Sequence, residues 1–447
     1  MVKLLLILLL SISVYGQTDL RQKISQMLMV GFPGTTVSDT ILINDLQFRG
    51  VGGIILFGGN IESPVQLQGL TAQLQNLSQV PLFISIDQEG GRVARLKETN
   101  GYSNTYTAYE IGTIFNDEDV TREWAGLMAG WLYDGGINVN LAPVADVNVN
   151  PNSPAIGNLD RSFSKIPDTV FQHCSWFTDE FNQKNIINTL KHFPGHGSAD
   201  TDSHLGFTDI TATWADSELV PFRKLFQSGY KDFVMTGHLY NANLDSVFPS
   251  SLSYKVTTDL LRNDLGFEGI VITDGMFMGA ITNNYSFDEA LTLAINAGND
   301  ILLYTTNKID NKSLVDSVVN IVINKVSEGI ITEARIEESY NRIMEMKNLT
   351  GVEEIVNNIL PDNYQLINYP NPFNSSTRIH IKIPEAGIIS LKVYNIIGEE
   401  VAVIINNYLA AGTYKFFFNA NELSSGVYLL RMNTGEKYLS HKIILLR

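Results

Sequence analysis

The sequence predicts an α/β protein: a (β/α)8 barrel of the TIM type, followed by a small antiparallel β-sandwich. Three observations predict it. Between about Leu28 and Tyr304, eight short apolar runs alternate with amphipathic stretches. Ionisable residues stand at the ends of five of those runs. After about Thr377, the pattern changes to alternating apolar and polar residues broken by turns. Alternating strand and helix signals point to a parallel sheet, and period-two alternation points to antiparallel strands.

The chain opens with MVKLLLILLLSISVYGQ. Lys3 supplies positive charge, Leu4 to Leu10 a short apolar core, and Val14 and Gly16 small residues before a cut at Gln17. This is the pattern of a secretory signal peptide over residues 1–16. The run falls short of the roughly 20 apolar residues that span a bilayer. No later segment reaches that length, so no membrane span is expected in the mature chain.

The eight strand candidates are MLMVGF, GVGGIILFG, LFISID, INVNLAPV, INTLKHF, DFVMTGHL, GIVITDGM and NDILLY. Segments such as SPVQLQGLTAQLQNL and SFDEALTLAINAG lie between them with helical spacing. No GxGxxG follows the first strand, so a doubly wound dinucleotide fold gains no support. ITEARIEESYNRIMEMKNLTG closes the region as a helix, with Thr332 as its N-cap. Residues 356–374, rich in Asn and Pro, read as a linker. RIHIKIP, IISLKVYN, TYKFFFNA, GVYLLRM and KYLSHKIILL then predict the strands of a sandwich over 375–447.

Composition narrows the function. A formal charge of −16 and a pI near 4.9 exclude a nucleic-acid binder, because a phosphate backbone would be repelled. Cys174 is the only cysteine, so no internal disulfide can form, and it reads as a small apolar filler. The strand-end groups are Asp87, Asp146, Lys191 with His192, His238 and Asp274. In a parallel barrel these ends share one mouth, where chemistry is done.

Three of the seven histidines, His192, His196 and His204, crowd into KHFPGHGSADTDSHLGF. A metal site, a buried polar network and an acid/base loop would each use such residues. Pro194, Gly195 and Gly197 break the helix that would put His192 and His196 on one face. Asp202 and His204 are two apart, so a turn can bring carboxylate to imidazole, fix its tautomer and raise its basicity.

KHFPGHGSADTDSH resembles the signature of family 3 glycoside hydrolases, in their β-N-acetylglucosaminidase branch. LFISIDQEGGRVARL, NVNLAPVADV, RSFS and GIVITDGM are similar to companion motifs, and the resemblance covers about Leu20 to Gly351. It implies Asp274 as nucleophile and His204, paired with Asp202, as general acid and base. It implies that Asp87, Arg161, Lys191 and His192 bind the sugar hydroxyls, with Arg95 and His238 candidates for the same pocket and His196 organising the loop. Relatives often carry a second acid after the nucleophile, where this chain has Gly275. The implied domain is 17–355, and neither a cofactor nor a metal is implied. The substrate would be a β-N-acetylglucosaminide oligosaccharide from peptidoglycan or chitin. The rival readings are a β-glucosidase, an N-acetylglucosamine phosphorylase and a non-catalytic sugar-binding protein. The tail, from NYPNPFNSST to KIILLR, resembles the C-terminal sorting domain of type IX secretion substrates. It implies that machinery as a partner and a secreted or cell-surface destination.

Overall fold

The computed structural model describes residues 19–349 and, apart from positions 375, 386, 410, 411, 421, 422 and 436, residues 363–446. The expected signal peptide and residues 356–362 of the expected linker lie outside the described residues. The chain divides into two compact units, one within Leu20–Ile355 and one drawn mainly from Val356–Arg447.

In the first unit, each of the eight apolar runs contains a strand. These are β1 (Leu28–Gly31), β2 (Gly53–Leu56), β3 (Phe83–Ile86), β4 (Val139–Asn140), β5 (Thr189–Phe193), β6 (Phe233–Thr236), β7 (Ile270–Thr273) and β8 (Leu302–Tyr304). Every residue of all eight is buried. Strands covered on both faces need apolar side chains on both, so runs such as GIIL and IVIT show no alternation. Parallel pairing orders them β8-β1-β2-β3-β4 in one sheet and β5-β6-β7 in another. Single parallel bridges join Val139 to Ile187, Val144 to Lys191 and Ile272 to Ile301.

Helices pack against these sheets: α1 (Leu20–Gln26), α2 (Pro64–Leu77), α3 (Glu118–Asp134), α4 (Pro167–Asn182), α5 (Val220–Gln227), α6 (Lys255–Asp264), α7 (Phe287–Ala297), α8 (Leu314–Ser327) and α9 (Glu333–Leu349). Their starts follow from the sequence. The Gln66 N–H donates to Ser63 Oγ at 3.2 Å before α2, with Pro64 at the first helical position. Ser286 caps α7 in the same way, and the Arg335 N–H donates to Thr332 Oγ1 at 3.2 Å before α9. On α4, Phe177 and Phe181 stack at 4.5 Å and are fully buried. Each contributes roughly 1.5–3 kcal/mol by leaving water. Cys174 is buried on the same helix, and burial pushes its thiol well up, as suits a filler rather than a nucleophile.

The second unit holds two antiparallel sheets. Strands β9 (Gln365–Tyr369), β10 (Ser376–Ile383) and β13 (Gly412–Asn419) form one, in the order β9-β10-β13. Strands β11 (Gly387–Tyr394), β12 (Glu400–Leu409), β14 (Gly426–Asn433) and β15 (Tyr438–Leu445) form the other, in the order β12-β11-β14-β15. Ile379, Ile381, Leu391, Val393, Leu430 and Ile443 share one buried core. Two strands depart from the sequence reading. β9 lies inside the stretch read as linker, where it pairs with β10 from Gln365↔Lys382 to Tyr369↔Arg378. β12 was not expected, although it pairs with β11 along most of its length.

Candidate active site

The groups expected to act lie where β3, β5, β6 and β7 end. Asp87 follows β3, Lys191 and His192 lie near the end of β5, His238 stands two residues beyond β6, and Asp274 follows β7. C-terminal ends of parallel strands expose backbone and side-chain groups to one common space.

A buried charge network forms one wall. Lys191 Nζ lies 2.8 Å from Asp87 Oδ1 and 2.6 Å from Glu89 Oε1. Arg161 grips Glu89 with both arms, Nε to Oε2 at 2.8 Å and Nη2 to Oε1 at 2.7 Å. Arg95 Nη2 donates to Asp87 Oδ2 at 3.1 Å. Burial by itself would raise both carboxyls. The charges of Lys191 and Arg95 outweigh it and lower Asp87, while those of Arg161 and Lys191 drive Glu89 far below the usual range. Burial would likewise lower Lys191, yet Asp87 and Glu89 raise it. The network therefore stays fully charged with its members paired. Glu89 and Lys191 side chains are only 4% and 2% exposed, and Asp87 at 15% is the carboxylate open to a ligand. Arg95 also lines an open cavity of about 660 Å³ with Phe57, Ile61 and Lys97.

Asp146 organises the histidine-rich loop. Its Oδ1 accepts from the backbone N–H groups of His192 and His196, at 3.0 and 2.8 Å. Its Oδ2 lies 2.7 Å from His192 Nδ1. An ionised carboxylate only accepts, so Nδ1 carries the proton and Nε2 is left as acceptor, 3.4 Å from Arg161 Nη2. Burial opposes the charged form of Asp146, but the adjacent His192 imidazole, which donates to it, and the loop N–H of His196 outweigh it and lower its pKa. His196 is buried with Nε2 3.2 Å from Ser203 Oγ, and burial lowers it to about 4. It is therefore neutral and holds the loop in place.

Asp274 is half-buried. Its Oδ1 accepts from the Gly275 N–H at 2.7 Å. Burial pushes its carboxyl up, but the His192, His238 and His204 imidazoles and the Gly275 N–H bring it down to about 2. His238 is buried, with Nδ1 2.7 Å from Ser251 Oγ and Nε2 3.0 Å from the Gly275 carbonyl. A carbonyl only accepts, so Nε2 carries the proton and Nδ1 accepts from the serine. Both ring nitrogens are thus engaged, and His238 holds the peptide after Asp274 instead of offering a hydrogen bond to a ligand.

His204 is the outlying member. Its side chain is 60% exposed, with Nδ1 2.7 Å from Asp202 Oδ1. The His204 backbone N–H donates to the same oxygen at 3.0 Å. Burial would raise Asp202, but these two contacts outweigh it and lower it. The carboxylate therefore fixes the proton on Nδ1 and leaves Nε2 facing away from Asp202. The loop is tied to the segment after Asp274: the Gly279 N–H donates to the His204 carbonyl at 3.1 Å and the Ala280 N–H to the Ser203 carbonyl at 3.2 Å. A Cβ at Gly279 would stand 2.8 Å from the Leu205 backbone, so glycine permits this approach.

His192, His196 and His204 each have a separate partner, and among the described residues no group of three His, Cys, Asp or Glu is placed to hold a metal ion. One organising residue, Glu89, escaped the sequence reading, and another, Asp146, was read without a role. Glu89 sits in the quoted QEGG stretch, with two glycines of positive φ after it as the only hint. Asp146 was visible as a strand-end acid but carried no assigned role.

Glu218 packs behind the loop. Gly195, at φ 127°, brings its Cα so close that a Cβ would meet Glu218 Cβ at 2.7 Å. Burial pushes the Glu218 carboxyl up to about 7, against the opposing pull of Ser198. Its folded pKa lies above its unfolded value, so the folded state keeps a proton that the unfolded chain releases. Stability falls as pH rises from about 4.5 to about 7, by up to about 3 kcal/mol in all. The variant Glu218→Gln has no such ionisation. Its melting temperature relative to wild type should rise between pH 5 and pH 8. An offset independent of pH would refute this.

Comparisons with known proteins agree with one another. The glycosyl hydrolase family 3 N-terminal domain matches residues 19–346, and the secretion system C-terminal sorting domain matches residues 368–446. The sorting domain marks the chain for secretion and the cell surface. The chain is 32% identical over 320 residues to beta-hexosaminidase A of Pseudoalteromonas piscicida, covering 66% of this chain and 53% of that one. It is 36% identical over 279 residues to the beta-hexosaminidase of Tolumonas auensis, covering 62% and 81%. Among solved structures, the family 3 beta-N-acetylglucosaminidase of a Paenibacillus species matches with a TM-score of 0.70 at 33% identity, over 75% of this chain and 63% of that one. The beta-N-acetylhexosaminidase of Beutenbergia cavernae matches with a TM-score of 0.68 at 28% identity, over 74% and 99%. The chain thus spans about half the length of the Pseudoalteromonas relative.

Proposed function

The chain belongs to glycosyl hydrolase family 3, and from that premise we propose that it is an exported, exo-acting, retaining β-N-acetylglucosaminidase. The observation that carries the reading is the tie between the His204 loop and the segment after Asp274. It couples a half-buried carboxylate to an exposed imidazole whose tautomer a second carboxylate sets. A retaining glycosidase needs such a pair, a nucleophile on one side of the sugar and a proton donor on the other.

In the first step, an Asp274 oxygen forms a bond to the anomeric carbon as the glycosidic C–O bond breaks. Protonated His204 gives its Nε2 proton to the departing oxygen. In the second step, neutral His204 takes a proton from water, the water oxygen bonds to the anomeric carbon, and the bond to Asp274 breaks. Asp87 and Arg95 at the open edge of the charge network bind sugar hydroxyls, joined by Arg161, Lys191 and His192. The names of the hexosaminidase relatives support the acetamido sugar as substrate.

The same reading makes the eight parallel strands a closed (β/α)8 barrel. The bridges at the β4–β5 and β7–β8 boundaries support closure. It also assigns residues 1–16 to a signal peptide, 17–355 to the hydrolase domain and the remainder to a linker and the sorting domain. Type IX secretion machinery is then the partner that recognises the tail.

The test is a comparison of aryl β-N-acetylglucosaminide with aryl β-glucoside, each with and without phosphate. The acetamido sugar should be preferred, with free N-acetylglucosamine as product. Preference for the glucoside would favour a β-glucosidase, and accumulation of the sugar phosphate would favour a phosphorylase.

A further inference from the structure

Beside His204 lie two large apolar side chains that face water: Leu205 is 81% exposed and Phe207 is 50% exposed. Exposed apolar side chains that cluster together and are rimmed by polar groups form a surface suited to ligand binding. Phe207 is not free to collapse. Its ring lies 5.1 Å from that of Tyr240, at 40°. The Tyr240 hydroxyl donates to the Ser246 carbonyl at 3.0 Å. Behind the rings, a short parallel pair sets Thr208 against Leu239 and Asp209 against Tyr240. Ala199, Ile210 and Leu239 form a small buried cluster alongside.

Both halves of this platform are anchored to the reacting groups. Phe207 stands three residues beyond His204, and Tyr240 two residues beyond His238, whose Nε2 holds the Gly275 carbonyl. The charge network binds the sugar that becomes attached to Asp274. The group that departs must lie on the side of the proton donor. We propose that Phe207 and Tyr240, edged by Leu205, receive the pyranose ring on that leaving side. This rests on the glycosidase reading. An aromatic face suits the C–H face of a pyranose, where a surface of carboxylates would not.

The local charge narrows the sugar further. From His192 to Phe222 the chain has no Lys or Arg, and with Glu218 buried and Asp216 paired to Arg223, the acids left there are Asp200, Asp202 and Asp209. A leaving sugar bearing a carboxylate, such as a muramic acid, meets repulsion there, and a neutral N-acetylglucosamine does not. The structure thus assigns neutral chitin-type oligosaccharides as the favoured substrates.

The test takes kcat/KM on three glycosides of N-acetylglucosamine: its β-1,4-linked disaccharide, its methyl glycoside, and its disaccharide with N-acetylmuramic acid. In Phe207→Ala the ratio of disaccharide to methyl glycoside should fall about tenfold, the size of one lost aromatic contact, and Phe207→Tyr should keep the ratio. An unchanged ratio in Phe207→Ala, including equal losses on both substrates, would overturn the platform. In wild type the neutral disaccharide should be preferred to the muramic one, with the gap narrowing as salt rises. A preference for the muramic disaccharide at all salt concentrations would overturn the charge argument. Wild type inactive on all three would instead sink the glycosidase reading, and this one with it.

Discussion

Replacing Asp274 by Ala should lower turnover of aryl β-N-acetylglucosaminide on the order of 10⁴-fold or more, as removal of a nucleophile does. The carboxyl sits at about 2, so it is ionised across any practical assay range, and loss of activity in acid would have to come from another group. A structural role for Asp274 as a cap on the following turn predicts a different outcome: loss of stability with activity falling in proportion. Azide separates the two. With the carboxylate gone, azide can attack the anomeric carbon from the vacated side, so it should restore turnover in Asp274→Ala and give the α-glycosyl azide. Failure of rescue in a variant that melts like wild type would remove the nucleophile assignment.

His204→Ala should produce an effect that depends on the leaving group. Proton donation contributes roughly 10²–10⁴-fold where the departing oxygen is basic. A methyl glycoside or a disaccharide should lose activity in that range. A dinitrophenyl glycoside, whose leaving group departs unprotonated, should keep its first step, and its burst of phenolate should survive while steady-state turnover slows. Equal losses on all substrates would remove the proton-donor role. Asp202→Asn should follow the same ranking more weakly, because the amide can still accept from Nδ1 but no longer favours its positive charge.

Much of this was legible from residues alone, for identifiable reasons. The strands of the first unit are buried on both faces, so runs such as GIIL and IVIT stand out as apolar, while β5 (TLKHF) is marked instead by the ionisable groups it carries. Asp87, Lys191, His192 and Asp274 were visible because strand ends fix their place. Glu89 was not, because its importance lies in contacts with Arg161 and Lys191, which are 72 and 102 positions away in the chain. His238 was legible as a site residue but not in its orientation, since Ser251 and Gly275 determine that. In the tail, Asn406 and Asn407 interrupt the apolar pattern of β12, and Pro370 and Pro372 beside β9 argued for a linker. Pairing with a neighbour overrides such local signals.

The wall of Asp87, Glu89, Lys191 and Arg161 has a consequence for stability. Its charges neutralise one another, and Glu89 is the one carboxylate that Arg161 pairs with, so removing Glu89 would leave a buried guanidinium without its counter-charge, at roughly 3–5 kcal/mol. On the proposed reading, the wall that binds the first sugar also stabilises the fold, so a change at Glu89 would cost both. The exposed positions around Leu205 and Phe207 carry no such coupling, because replacing an apolar side chain there leaves no ion unpaired.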